Sequence, residues 1–535
     1  MALEDWFLRA AERGNPATVL DSRHGGISYT EGNEVRALID GENYFTELRR
    51  AVQAQRAGDL LLFTDWRGDP DEMIGPGGPS IAELLSGAAA RGVIVKGLFW
   101  RSHWDKLAYS QEQNRKIADD VRDAGGEVLL DMRVLPLGCH HQKCVVARYP
   151  GRPELDVAFV GGIDLCHTRG DTNEHLGDPQ PVKMGRQWGP RPPWHDAQLQ
   201  VQGPAVGDVE ATFRERWDDP TPLQLNPIGL ADAYLHGDDE HADPLPEQLP
   251  DPAPRGTAAV QVLRTYPAKL PRFPFAPDGE RSIARAYDKT VKDARSLIYI
   301  EDQYFWSGAV VSCFAKALAA NADLRLIVLV PRYANEDGRV SMASNLGSRS
   351  DALADVYAAG GDRVAVFSPE NRAGTPVYVH AKVCVVDDVW ATIGSDNVNR
   401  RSWTHDSELT CAVVDSVRDE REPRVVDAHG DGARRYAREL RLQLAREHLD
   451  RPGDDPADVA DLIDPIGAFE VFARSAATLQ AWYDGGRVGP RPPGRLRPYV
   501  SPDYRGLLKG AAKLVYRIAD DPDGRPLQMR LRGTF

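Results

Sequence analysis

The chain has 535 residues, more than a single hydrophobic core organises, so two or more lobes are expected. A net charge of −14 at pH 7 and a pI near 5.5 weigh against a nucleic acid as partner, and apolar and charged fractions of 42% and 27% exclude a disordered or fibrous chain. The N-terminus shows neither the basic stretch nor the apolar core of a signal peptide, and no apolar run approaches the about 18 residues of a membrane span. A cytoplasmic, monomeric protein that meets a membrane only peripherally is therefore expected. Cys139, Cys144, Cys166, Cys313, Cys384 and Cys411 lie in apolar runs without Cys-x2-Cys spacing. Free buried thiols are expected, with neither a disulfide framework nor a zinc site.

Taken in order, residues 1–34 carry weak periodicity and read as a leader packed on a first lobe. That lobe, residues 35–218, alternates helix and strand: a helix over 42–55, a strand over 60–64, a helix over 81–90, a strand over 93–100, a helix over 111–124 and a strand over 127–130. A strand over 197–202 and a helix over 207–217 close it. Residues 219–275 are dense in Pro, Asp and Glu and read as a connection between lobes. The plan then repeats over 276–450, with helices over 282–294, 310–321, 352–359 and 439–449 and strands over 297–300, 324–330 and 364–367. Residues 451–535 form a C-terminal extension with a proline-rich stretch near 489–493 and a basic, apolar tail. The fold class is α/β, as two similar α/β/α-sandwich lobes related by a pseudo-twofold.

Each lobe carries one motif. The first is His140-His141-Gln142-Lys143 followed by an apolar run; the second is His380-Ala381-Lys382 followed by an apolar run and Asp387. On a strand, residues i and i+2 share a face, so His141 and Lys143 point together, as do His380 and Lys382. Small-residue turns follow: Gly161-Gly162-Ile163-Asp164 and Gly394-Ser395-Asp396-Asn397. One His-x-Lys pair is weak evidence, but two copies with matching sequels are strong.

At these residues the chain resembles the phospholipase D superfamily. His380-x-Lys382-x4-Asp387 with Gly394-Ser395-x-Asn397 is similar to its signature. The first copy is similar in wording to plant phospholipases D, through Gly161-Gly162-Ile163-Asp164-Leu165-Cys166, Arg169, Asp171-Thr172-Asn173-Glu174-His175 and Pro193-Trp194-His195-Asp196. Weaker similarities include Thr64-Asp65-Trp66, the run from Ile298 to Phe305, and Arg446-Glu447-His448-Leu449. One departure stands out: Arg148 occupies the place of the first motif's Asp, with Asp156 a possible substitute. Asp387 is expected to tie its own hairpin together, and His140 to pack without touching substrate.

The chemistry follows from residue types. Two lysines neutralise phosphoryl oxygens as point charges, one neutral imidazole attacks phosphorus, and the other, protonated, donates to the leaving alkoxide. The expected catalytic set is His141, Lys143, His380 and Lys382, with Glu408 and Asp171 matching the family's acidic positions as imidazole orienters. Asp164, Ser395 and Asn397 are expected at the substrate. No cofactor and no metal are expected. The resemblance implies a phosphodiesterase cleaving glycerophospholipids, at a membrane or micelle surface, to phosphatidic acid and a head-group alcohol. A phosphohistidine intermediate and transfer to other alcohols come with it, His141 being the nucleophile and His380 the acid. Plant relatives also carry a calcium-binding C2 domain; the residues ahead of the first lobe are too few to hold one, so calcium dependence is not carried over. The rival readings are a cardiolipin-synthase-like phosphatidyltransferase and a nuclease or other phosphodiesterase. Trp194, His195 and the loop over 185–193 are candidates for the site's rim, the loop as a lid or lipid-facing edge.

Overall fold

The computed structural model describes residues 2–535 apart from 103–109, 336–338, 424–426, 431, 452, 454, 501–515 and 517–519. The first half contributes strands β1 (Thr30–Ile39), β2 (Leu60–Asp65), β3 (Ile94–Trp100), β4 (Glu127–Asp131), β5 (Cys144–Arg148), β6 (Val157–Gly161), β7 (Trp194–His195) and β8 (Ala197–Gln202). The second contributes β9 (Ala258–Tyr266), β10 (Glu280–Arg281), β11 (Leu297–Glu301), β12 (Arg325–Leu329), β13 (Val364–Pro369), β14 (Tyr378–Val379), β15 (Val383–Val386), β16 (Trp390–Gly394), β17 (Glu408–Asp415) and β18 (Leu496–Pro498).

All of these strands except β7 and β14 form one continuous sheet in the order β18-β13-β12-β11-β15-β16-β17-β9-β1-β8-β6-β5-β2-β3-β4, with β10 pairing on β9. Read outward from the β9–β1 seam, the two halves match strand for strand as far as β4 and β13, and the second half adds β18 at its edge. In each, three outer strands run parallel (β2, β3, β4 and β11, β12, β13), and the hairpin and return strand beside them run antiparallel (β5, β6, β8 and β15, β16, β17). The helices match too: Gly41–Gln53, Ile81–Ala90 and Gln111–Asp123 correspond to Ser282–Val291, Gly308–Ala320 and Arg339–Gly360, and Ala205–Trp217 corresponds to Arg435–His448.

The period-two pattern of each strand decides the layers. Leu62, Cys144 and Val146 face one core while Leu61, Phe63, Val145 and Ala147 face another. Likewise Val383 and Val385 join the first of these cores, and Cys384 and Val386 join a third. The shared core runs under both halves against the helices Ala205–Trp217, Arg435–His448 and Pro465–Asp484. The other two belong to one half each. Burying a Val, Leu or Ile here contributes about 1.5–3 kcal/mol, which is what makes a one-residue slip of register so costly. All six cysteines are free and buried.

Three boundaries differ from the sequence reading. Strand β1 starts inside the stretch read as a leader, and Trp6, Phe7 and Leu8 join the core of the second half, not the first. Strand β9, the innermost strand of the second half, lies inside the stretch read as a connection. The rest of that connection is also structural: Leu223 joins the shared core, Leu245 packs on it, and the Asp243 amide donates to Glu127 at 2.9 Å. In the second half the same face is covered by the C-terminal helix Pro465–Asp484, whose Asp464 cap accepts from the Ile466 and Gly467 amides. Much of the expected basic tail lies outside the described residues.

Candidate active site

The two motif hairpins, β5–β6 and β15–β16, sit four and three strands from the seam, and each His-x-Lys segment runs straight into its strand. A two-stranded parallel sheet, β7 with β14, crosses between the halves and registers Trp194 on Tyr378 and His195 on Val379. It fixes the second histidine by its backbone, since the His380 and Ala381 amides both donate to the His195 carbonyl, at 2.8 and 3.2 Å. The first is fixed in the same manner from the other side: the His141 amide donates to the Ser407 carbonyl at 2.9 Å.

The acids on the imidazoles are exchanged across the seam. His141 Nδ1 lies 2.9 Å from Glu408 Oε2, at the head of β17 in the second half. His380 Nδ1 lies 2.6 Å from Asp196 Oδ2, immediately before β8 in the first half. Glu408 and Asp196 hold corresponding places, since β17 and β8 correspond. A carboxylate on Nδ1 leaves Nε2 free to face a substrate and fixes the tautomer.

Asp171, expected to orient an imidazole in the first half, contacts neither motif histidine. Its carboxylate accepts from the amides of Thr172 (2.8 Å), Gly177 (3.1 Å) and Trp194 (2.8 Å), bracing the loop that delivers β7. The carboxylate that does meet the second motif histidine is that of Asp196. The sequence held the signal: Asp196 precedes its strand as Glu408 heads its own.

The lysines are held inward. Lys143 Nζ donates to the His141 carbonyl at 3.0 Å and pairs with Asp164 at 3.1 Å, and Lys382 donates to the His380 carbonyl and to Gln303 Oε1 at 3.4 Å. Asp164 is pinned further by Arg169 at 2.9 Å. Burial favours the neutral acid there, but the Lys143 ammonium and then the Arg169 guanidinium outweigh it and hold Asp164 well below the usual carboxylate range. The charges of His380 and His141 act on it as well, so both halves converge on this carboxylate. An ionised Asp164 between two cations holds the Lys143 ammonium in place.

The two halves differ electrostatically. Burial depresses Lys143, yet Asp164 and Asp65 more than compensate and raise it above the ordinary lysine value. Lys382 is pushed down to about 8 by burial, with the neighbouring Lys143 adding to the effect against the pull of Asp196. Burial, then Lys382 and Arg169, press His380 well below the usual imidazole value. His141 is the least enclosed of the four, its side chain 14% exposed against 6% for His380 and 1% for Lys143.

Ser395 turns its hydroxyl to Glu408 Oε2 at 2.6 Å and accepts from the Leu409 amide at 3.0 Å, so it serves the orienter of His141. Its counterpart, Gly162, has no room for a side chain: a Cβ there would sit 2.2 Å from Asp196 Oδ1. Asn397 is buried with its side-chain carbonyl oxygen unpartnered. His140 is fully buried with both ring nitrogens unpartnered, held neutral by burial and then by Arg216. Asp387 caps the Arg295, Ser296 and Leu297 amides ahead of β11, at 2.8, 2.8 and 3.0 Å. In the first half Arg148 pairs with Asp156 at 2.9 Å and with Glu210, while Asp156 accepts from the Tyr149 amide at 2.7 Å.

Aromatic rings wall both histidines. Trp66 meets His141 edge-on at 6.1 Å and stacks on Trp100 at 5.7 Å. Trp194 packs on His380 at 4.9 Å, on Tyr378 at 4.8 Å and beneath the Arg169 guanidinium at 4.1 Å. The loop over 185–193 is no free lid: Trp188 is fully buried against Tyr333 and Tyr378, and its Nε1 donates to the Ala334 carbonyl at 2.9 Å. Behind His380 lies a buried network that sequence reasoning missed. His195 meets Asp40 (3.1 Å), Glu447 (2.9 Å) and Glu301 (2.7 Å), His175 meets Glu447 (2.8 Å), and His448 meets Glu301 (2.7 Å). Two sets within it have metal-ligand spacing, Asp40-His175-His195-Glu447 and His195-Glu301-His448. Their donor atoms pair with one another.

A fold of two α/β halves sharing one sheet, with a His-Lys pair from each, defines a class of pseudo-twofold phosphoryl-transfer site. The family comparisons agree. A phospholipase D family model matches residues 105–242, and a model for the phospholipase D-like domain of cardiolipin synthase matches residues 287–421. The chain belongs to the phospholipase D superfamily. It is 25% identical to phospholipase D1 of Saccharomyces cerevisiae over 85% of this chain and 31% of the relative. It is 25% identical to phospholipase D alpha 2 of Oryza sativa over 70% and 59%, and 28% identical to human phospholipase D1 over 62% and 34%. The chain thus spans about a third to three fifths of the length of these relatives. Among solved structures, phosphatidylserine synthase of Haemophilus influenzae aligns over 75% of this chain and 87% of its own, with a TM-score of 0.48 and 14% identity.

Proposed function

We propose that the protein is a phosphodiesterase that cleaves the distal phosphate ester of glycerophospholipids, releasing phosphatidic acid and the head-group alcohol and transferring the phosphatidyl group to other alcohols. The observation that carries the reading is the exchanged pairing: His141 on Glu408 and His380 on Asp196, with Lys143 and Lys382 beside them. That is a nucleophile, an acid, an orienter for each and two charges for the phosphoryl oxygens.

In the proposed sequence, His141 Nε2 attacks phosphorus, a P–N bond forms, and the P–O bond to the head group breaks. His380 gives its proton to the departing alkoxide. It then takes a proton from water or an incoming alcohol, whose oxygen displaces His141. The environment of His380 favours its neutral form. The acid role therefore requires the bound phosphodiester anion to raise it, as a nearby negative charge does.

The test is to incubate the purified chain with mixed phospholipids and a primary alcohol and to identify products by mass. Phosphatidic acid together with the phosphatidyl alcohol is expected. Cleavage of nucleic acid with no lipid product would overturn the reading; condensation of two phospholipids, without hydrolysis, would favour the phosphatidyltransferase.

A further inference from the structure

We propose that Asp40, His175, His195 and Glu447 form a binding site for a divalent transition-metal ion, zinc by preference, that ties the two halves together behind His380. The site is separate from the phosphoryl-transfer chemistry and stands whether or not the protein cleaves lipids.

The four residues arrive from four parts of the chain, and no ligand spacing in the sequence joins them. Asp40 follows β1, His175 lies between β6 and β7, His195 ends β7, and Glu447 sits in the last turn of the helix Arg435–His448. Three thus come from the first half and one from the second. One donor atom from each lies within 4.8 Å of all the others. His195 Nδ1 is 3.1 Å from Asp40 Oδ1 and 2.9 Å from Glu447 Oε1, and His175 Nε2 is 2.8 Å from the same Glu447 oxygen. Zinc bonds of about 2.0–2.2 Å in a tetrahedron set neighbouring donors about 3.3–3.6 Å apart, so these separations need to open by only about half an ångström.

Hydrogen bonding serves the cluster incompletely. His195 Nδ1 carries at most one proton, yet two carboxylate oxygens face it. Asp40 is 1% exposed, and its Oδ2 has no hydrogen-bond partner among the described residues. A buried acceptor left unpaired costs about 1–3 kcal/mol. A cation, unlike a single proton, can be met by several of these oxygens at once.

The far side of each imidazole points to the same ligand. A metal-ligating histidine gives its other ring nitrogen to a carboxylate or a backbone carbonyl, which fixes its tautomer and its plane. Here His195 Nε2 lies 2.7 Å from Glu301 Oε2, and His175 Nδ1 lies 3.1 Å from the Trp194 carbonyl. Glu301 is fixed in turn by His448 Nε2, 2.7 Å from its other oxygen. Both imidazoles therefore turn their remaining nitrogen to the shared Glu447 oxygen. Two carboxylates and two neutral imidazoles cancel a dication, which closes a buried site without net charge. Nitrogen donors choose zinc and its neighbours over calcium and magnesium, which take oxygen ligands. Asp40 and Glu447 also line a polar cavity of about 420 Å³, a route for the ion. Of the arginines on its wall, Arg372 and Arg495 are paired with Asp450 and Arg451 with Asp461.

The site bears on catalysis through position. The His195 carbonyl accepts from the His380 and Ala381 amides, and the Asp40 amide donates to the Asp196 carbonyl at 2.8 Å. An ion on Asp40 and His195 holds the backbone on which His380 and its orienting acid are mounted.

The test is made on the full chain, dialysed against chelator and titrated with Zn²⁺ by calorimetry. One equivalent is expected to bind and to raise the thermal midpoint by about 2–3 °C at a hundredfold excess over Kd. Asp40→Asn and His175→Gln should each weaken zinc binding by at least about a hundredfold, and Glu301→Gln, behind the site, by about 10–100-fold. An anomalous difference map at the zinc edge, from crystals of the zinc-loaded chain, locates the ion even where a variant fails to fold. Absence of stoichiometric binding, binding unaltered in the folded variants, or an ion found away from these four residues would overturn the proposal and leave the cluster as ion pairs of protonated imidazoles. Zinc at the site in a chain that cleaves no phospholipid would sink the functional reading alone.

Discussion

The two halves share a strand order, a helix plan and a motif, yet they solve the same local problems with different residues. In the second half Asp387, expected to tie its own hairpin, instead ties it to the neighbouring strand by capping three backbone amides ahead of β11; in the first, Arg148 holds its hairpin through ion pairs to Asp156 within it and to Glu210. In the second half a serine hydroxyl steadies the orienting acid, whereas in the first a glycine makes room for it. The lysine of the first half is held charged by Asp164, and that of the second is pushed toward neutrality by burial. Architecture is therefore duplicated while electrostatics are not, and unequal electrostatics are what two imidazoles need if one is to attack and the other to protonate.

The sharpest way to test that division is to remove each histidine. His141→Ala is expected to cost roughly four to six orders of magnitude on all substrates, because no phosphoenzyme can form. His380→Ala should cost about 10²–10⁴ on alkyl esters and much less on p-nitrophenyl esters, which need little protonation to leave. Rapid quench with labelled substrate should trap label on His141; label on His380 would reverse the roles and keep the scheme.

Next comes the comparison of acids. Asp196→Asn should lower kcat by up to about 10⁴, as loss of an orienting carboxylate does, with little change in thermal midpoint. Asp171→Asn should instead cost about 1–3 kcal/mol of stability, through the amides it leaves unsatisfied, and preserve most of kcat. If the two variants behaved alike, the exchanged pairing would lose its support.

Third, Arg148→Met leaves Asp156 and Glu210 in the core without their shared guanidinium and should destabilise by about 3–5 kcal/mol in denaturant titration. Restoring an acid, as Arg148→Asp, should not rescue it, because the surrounding residues are already acidic. The smallest effect concerns pH. With Lys382 near 8, the ammonium is present below that value and lost above it, so kcat/KM should fall as pH rises past about 8. Lys382→Arg should move this limb upward; an unmoved limb would assign it to another group.

Much of this was legible from residue order. The alternation of apolar strands with amphipathic helices fixed the parallel outer strands of both halves, and the paired motifs located the site. The seam was not legible. Strand β1 carries Glu31, Glu34 and Arg36 with several half-exposed positions, which reads as loop. Strand β9 carries Gln261 and Arg264, which become tolerable only because Leu8, Ser28, Glu215 and Glu280 satisfy them. Polar residues in a central strand make sense once their partners are known, and those partners lie more than two hundred residues away or in another element. Asp196 was overlooked for a related reason: the acid beside a motif histidine belongs to the opposite half, so its place ahead of β8 gains meaning only once β8 and β17 are seen to correspond.

The shared sheet also sets the order of traffic. With β1 hydrogen-bonded to β9 at Thr30–Val260 and Asn33–Ala258, the halves are joined by backbone as well as by side chains. Three of the four motif side chains are almost wholly enclosed, leaving the His141 side as the entrance. In the proposed reaction the head-group alcohol leaves by the door through which water or an acceptor alcohol comes in, so the first product departs before the second substrate binds. Initial rates measured against lipid at several acceptor concentrations should then give parallel double-reciprocal lines, the kinetic signature of a site that can hold only one alcohol at a time.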